Sequence, residues 1–219
     1  GGAGGRAEGV QRDGFDVAVG GVSACSTLGR FADPVLNTMM RWSDLQLVST
    51  MFHELAHQKL YVKDDTAFNE SFATAVAEFG IQRWLAARGE ADRLAAHDER
   101  RDVRRAMMAL VEQVREELQS LYESDRSDED KRVRKAAILD RLSQDAEALV
   151  QRSGDGQGNW LAPPLNNARL VSLGLYEGQL DAFRSMLRNC DDSLACFYEE
   201  SARVAAMAAG ERGALMAAD

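Results

Sequence analysis

Proline and histidine are scarce in this chain, at three residues each in 219. So few prolines leave long stretches without a residue that locks φ and removes a donor. With abundant Ala, Leu, Glu and Arg, that predicts a mainly helical chain. Cysteine is just as rare, and Cys25, Cys190 and Cys196 form neither a C-x-x-C pair nor a zinc ribbon. Cys190 and Cys196 stand close enough for a disulfide in an exported protein; the bland reading is two free small residues near a helix start. Basic residues are in deficit, 26 against 35 acidic, giving a net charge of −9 with no basic stripe. That argues against a nucleic-acid partner. No apolar run approaches the roughly 18 residues of a membrane-spanning helix, and no secretory signal is readable. What the chain does have is 45% apolar residues, enough to build a core for one domain.

The opening run Gly1-Gly2-Ala3-Gly4-Gly5 predicts a flexible segment over 1–12. From Phe15 to Val19 apolar and polar residues alternate, which predicts a short strand. Such a strand can form a sheet edge to which a peptide substrate adds. Asp33-Pro34 suits a helix start, with a short helix over Val35–Arg41. Ser43 with Gln46 three residues on is a capping box, so a helix is expected over Asp44–Lys59. Its stripe of Leu47, Val48, Met51, Phe52 and Leu55 predicts a mostly buried helix. After a turn over Tyr61–Asp65, Asp65 or Thr66 caps a helix from Ala67 to about Arg88, striped by Phe68, Phe72, Val76, Phe79 and Leu85.

Residues 89–152 are strongly charged and predict a hairpin of two long helices, about Glu90–Tyr122 and Glu129–Gln151. Leu94, Val103, Met107, Leu110, Val114, Leu118 and Leu121 stripe the first; Val133, Ala137, Leu139, Leu142, Ala146 and Leu149 stripe the second. Ser127 or Asp128 caps the second, the charge runs read as solvated faces, and His97 reads as solvent-facing. A Gly- and Pro-containing loop over 153–164 leads to helices over about Leu165–Leu175, Leu180–Leu187 and Asp192–Ala209, with a frayed tail from Gly210. The expected organisation is a core over 13–88, the hairpin over 89–152, and a C-terminal helical part of the same domain over 153–219. The fold class is α+β, mainly helical, with a small β-sheet edge and a long helical hairpin insertion.

Two of the three histidines lie in His53-Glu54-Leu55-Ala56-His57, an H-E-x-x-H run. On a helix, i and i+4 share a face, so His53 and His57 can present both imidazoles to one ion. Glu54 stands beside that ion, where a general base would take a proton from water. Glu70 opens the next helix on a face shared with Thr74 and Ala77, and is the candidate third ligand; Glu78 is its rival. Two histidines, a glutamate and a water make the open site of a hydrolytic zinc enzyme, with one Zn2+ expected. The oxyanion formed in acyl transfer needs a further donor, and Tyr61, Tyr176, Asn166 and Asn167 are the candidates, Tyr176 first among them.

The runs GFDVAVGGVSACSTL from Gly14, FHELAHQKLYVKDDTAFNESFATAVAEFG from Phe52 and NNARLVSLGLYEGQLDAFRSML from Asn166, with FYEE after it, carry a resemblance. They resemble the bacterial "putative aminopeptidase" family of H-E-x-x-H metallopeptidases. The resemblance covers most of the chain outside the hairpin. It implies a zincin of gluzincin type with Glu70 as third ligand, acting on a peptide or protein substrate. It also implies an exported or lipid-anchored protein of the bacterial envelope, periplasmic in location. Members carry a longer N-terminal portion with an export or lipoprotein signal, so any membrane association would come through that anchor. Where members have Tyr, this chain has Cys25, in a segment expected to line the cleft, which makes Cys25 a candidate substrate-binding residue or an extra zinc ligand. The sequence leaves exo- and endo-cleavage open. The alternative function is a non-catalytic helical envelope interaction protein that keeps a structural zinc site; an intact Glu54 argues against it.

Overall fold

A computed structural model describes residues 9–10, 12, 15–18, 41–153, 161, 165–177 and 179–216. Helix accounts for 82% of these residues, and there is no strand among them. The expected α+β class with a small β-sheet edge is thereby corrected to all-α. The reason is visible at Phe15–Ala18, which has the alternation of a strand but no ladder partner among the described residues. Its polar groups bond singly instead. The Phe15 N–H donates to Val10 O at 3.3 Å, and Val17 O accepts from Asn166 Nδ2 at 2.8 Å. The Asp16 carboxylate accepts the Asn167 N–H at 3.0 Å and ion-pairs with Lys135. Val19, Cys25 and the short helix expected up to residue 40 lie outside the described residues.

Eight helices are described: α1 Asp44–Lys59, α2 Thr66–Ala87, α3 Ala91–Glu123, α4 Asp128–Ser153, α5 Asn167–Glu177, α6 Leu180–Asn189, α7 Leu194–Ala205 and α8 Ala209–Met216. None among the described residues is long and apolar enough to cross a membrane. The chain divides into two compact units, residues 1–20 with 91–173 and residues 21–90 with 174–219.

In the first unit α3 and α4 pair as the expected hairpin. Met107, Val111, Val114, Leu118 and Leu121 meet Ile138, Leu139, Leu142 and Ala146, and Leu161 and Leu170 close the cluster. Ser127 Oγ accepts the Asp130 N–H at 3.2 Å, so Ser127 is a cap. Val133, placed in the apolar stripe by spacing, is exposed instead, and Ile138 occupies the core. His97 is partly buried rather than solvent-facing. The charge runs do line solvated faces, in pairs such as Arg115–Glu112 and Arg134–Asp130. Each such exposed pair contributes only a few tenths of a kcal/mol.

The second unit holds the H-E-x-x-H helix. The capping box at Ser43 and Gln46 forms, and Asp65 caps α2 by accepting the Phe68 N–H at 3.1 Å. α1 packs along α2, α2 on α6 and α6 on α7. Phe68, Phe72, Phe183 and Phe197 make an aromatic core with edge and stacked contacts at 5.1 to 6.2 Å. α2 closes on Gly89, whose φ of +70° suits glycine, with the Glu90 N–H donating to Leu85 O at 3.1 Å. Cys190 and Cys196 are joined as a disulfide across the α6–α7 turn. Closing so short a loop restricts the unfolded chain by about 2 kcal/mol.

Two expectations fail here. The tail from Gly210 is expected to fray, yet Gly210–Met216 lies in α8, because Arg212 is drawn inside (5% exposed). α1 keeps its expected ends but is not mostly buried: Ala56 and His57 are buried, whereas Met51 is 51% and Leu55 54% exposed. The apolar stripe is split because α1 meets α2 through Phe52 and Ala56. A Cβ on Gly80 of α2 would stand 2.6 Å from Phe52 Cγ. Gly80→Ala is therefore expected to destabilise the protein by about 1–3 kcal/mol through overpacking; a denaturant midpoint unchanged from wild type would refute this.

Candidate metal centre

His53 and His57 project from the last two turns of α1, one turn apart, and Glu70 from the start of α2. Their donor atoms converge. His53 Nε2 and His57 Nε2 are 3.2 Å apart, His53 Nε2 and Glu70 Oε2 3.2 Å, and His57 Nε2 and Glu70 Oε1 3.7 Å. The two rings meet edge to face at 4.9 Å. His57 is buried, and its Nδ1 has no hydrogen-bond partner among the described residues, so its polar contacts are made through Nε2. His53, His57 and Glu70 thus form a group able to hold a metal ion.

The electrostatics prepare the donors. Burial, and then the neighbouring His53, hold the His57 imidazole below the ordinary histidine range, against the pull of Glu70 and Glu54. The hydrogen bond from His53 holds the Glu70 carboxyl below the usual carboxylate range, against its own partial burial. At neutral pH His57 is neutral and Glu70 ionised, the forms that bind a cation. As pH falls the His57 imidazole takes up a proton and loses that ability. Metal affinity is therefore expected to be lower at pH 5 than at pH 7, by as much as about tenfold per unit for each competing proton. Calorimetric titration at the two pH values checks this, and affinity that rises towards acid would count against histidine ligation.

Glu54 is half-buried on α1 and makes no hydrogen bond or ion pair among the described residues. Its charge nonetheless reaches His57. Glu78 does not compete for the site: Arg184 of α6 grips its carboxylate through Nε at 2.9 Å and Nη2 at 2.6 Å. Asn166 caps α5, its Oδ1 accepting the Arg169 N–H at 2.9 Å. Asn167 Oδ1 accepts from the Tyr122 hydroxyl at 2.9 Å. Both asparagines belong to the hairpin unit, whereas the three donors belong to the other. Tyr61 is exposed just after α1. Tyr176 lies on α5, with its side chain outside the described residues, as is all of Cys25.

A family model described as "Putative aminopeptidase" matches residues 1–216. The chain belongs to that family. No curated protein and no solved structure gives a match. In this family member, spacing alone found the three clustered residues but missed two supports. Arg212 binds the Asp65 cap through Nε at 2.8 Å and Nη2 at 2.7 Å. Asn69 bonds to the turn after α1. The available signal for Asn69 was a poor helix former standing inside a helix, immediately before Glu70.

Proposed function

We propose that the protein is a zinc-dependent metallopeptidase of the zincin, gluzincin type that hydrolyses peptide bonds. The observation that carries this is the donor triangle of 3.2, 3.2 and 3.7 Å made by two imidazoles and one carboxylate. Donors at zinc distances in a tetrahedron lie about 3.4 Å apart. Two histidines and a glutamate are also the donor set that leaves a fourth position open. Zinc held there supplies a Lewis acid for the scissile carbonyl and lowers the pKa of water towards about 7.

The rest is done by side chains. Glu54 accepts the proton of the attacking water and delivers it to the leaving amine. Its carboxylate suits the task because no described partner holds it. Tyr176 donates to the developing oxyanion, and Cys25 contacts the peptide. The Cys190–Cys196 disulfide supports an oxidising compartment, in keeping with an exported protein of the bacterial envelope. The membership of a family named for aminopeptidases supports peptide substrates. Zinc analysis of the purified protein with a peptide-library digest tests the reading. We expect about one zinc per chain and cleavage abolished by chelation; protein purified without zinc that also takes up none would end it.

A further inference from the structure

The two ligand-bearing helices are joined by only residues 60–65, so the reach of Glu70 towards the histidines depends on how that turn is held. Leu60 N–H closes α1 on Ala56 O at 3.0 Å. The Asp65 carboxylate is occupied by the Phe68 N–H and by Arg212. The contact that spans from α2 back to the turn is Asn69. Only 3% exposed, it lies beside Glu70 in sequence. Its Oδ1 accepts the Val62 N–H at 2.8 Å, and its Nδ2 donates to Val62 O at 2.7 Å. One carboxamide thus satisfies both backbone groups of one residue, as a neighbouring strand would.

We propose that Asn69 is a positioning residue for the metal centre. Its two bonds fix Val62, and with it the exit of α1, against the first turns of α2. That sets the separation between the Glu70 carboxylate and the His53 and His57 imidazoles. The inference rests on the metallopeptidase reading in needing a metal at this group, but it concerns geometry, not turnover. Asn69→Leu keeps the volume and removes both bonds, leaving the Val62 N–H unpaired and Val62 O with only the longer bond from the Asp65 N–H at 3.4 Å. Asn69→Asp keeps an acceptor for the Val62 N–H and loses only the donor to Val62 O.

The test is Co2+ titration of the full-length protein, read by the visible absorption bands, which report coordination number and geometry. Zn2+ competition supplies the affinities. Val204→Ala, a cavity in the core of the same unit at a side chain that bonds to neither Val62 nor a metal ligand, serves as a control for lost stability alone. Both Asn69 variants are expected to bind about 10–100-fold more weakly, the cost typical of removing an outer support of a metal ligand. Their bands should change in shape, while the helical circular dichroism signal stays that of wild type. Val204→Ala should bind and absorb as wild type does. Wild-type affinity and bands in Asn69→Asp would overturn the proposal, and so would a Val204→Ala variant that loses affinity to the same degree. If the wild-type protein takes up neither Zn2+ nor Co2+, the metallopeptidase reading itself fails, an outcome distinct from a wild type that binds and Asn69 variants that bind equally well.

Discussion

Replacing Glu54 by glutamine is expected to lower peptide hydrolysis by about 10²- to 10⁴-fold, the usual contribution of a positioned general acid–base. Glutamine keeps the size of the side chain and cannot accept the proton. Glu54 makes no hydrogen bond or ion pair among the described residues, so the fold has little to lose. The ligands His53, His57 and Glu70 remain, so bound zinc should stay at the wild-type level. Steady-state rates on one peptide and metal analysis of the same sample read the two halves. A variant that keeps wild-type turnover would show that the proton is handled elsewhere. One that loses its zinc would show that Glu54 supports the metal rather than the water.

Arg212→Ala is expected to be the most destabilising single change in α8. Its guanidinium is buried against Phe68, at 5.6 Å from the ring, and donates to the Asp65 carboxylate and to Met207 O at 2.9 Å. Removing it leaves the Asp65 carboxylate to the Phe68 N–H alone, its charge unpaired, and takes a donor from Met207 O. Breaking a buried pair from one side costs about 3–5 kcal/mol, which for a chain of this size lowers Tm by roughly 10 °C. Arg212→Lys should recover part of that, because it keeps the charge but not the planar fork that spans two partners. Thermal or denaturant unfolding measures both, and an alanine variant within about 0.5 kcal/mol of wild type would refute the argument.

The metal group was legible in the sequence because its information is local. Helical spacing puts His53 and His57 on one face, and a capped helix start puts Glu70 within reach. The caps at Ser43, Asp65 and Ser127 were legible for the same reason, since each is decided within four residues. What failed depends on partners distant in sequence. Phe15–Ala18 alternates like a strand, but only a second strand could have made it one, and its groups bond to Asn166 and Asn167 instead. Met51 and Leu55 look like core residues until Gly80 sets where α1 meets α2. The expectation of a frayed tail could not foresee Asp65, 147 residues away, as the partner of Arg212. Glu78 and Glu70 are the same residue type on the same helix, and only Arg184 on α6 separates their roles.

The compactness of the donor set along the chain bears on how the protein acquires its metal. His53, His57 and Glu70 all fall within eighteen consecutive residues, on two helices joined by a short turn. Closing so short an interval carries a small entropic cost, and pairing of neighbouring helices is a fast, local event in folding. The group can therefore assemble once α1 meets α2, before α6, α7 and α8 have packed. A cation captured at that stage would act as a nucleus for the chain still to fold. It would also bind partly folded protein, so added metal would raise the apparent melting temperature less than its affinity for the finished fold implies.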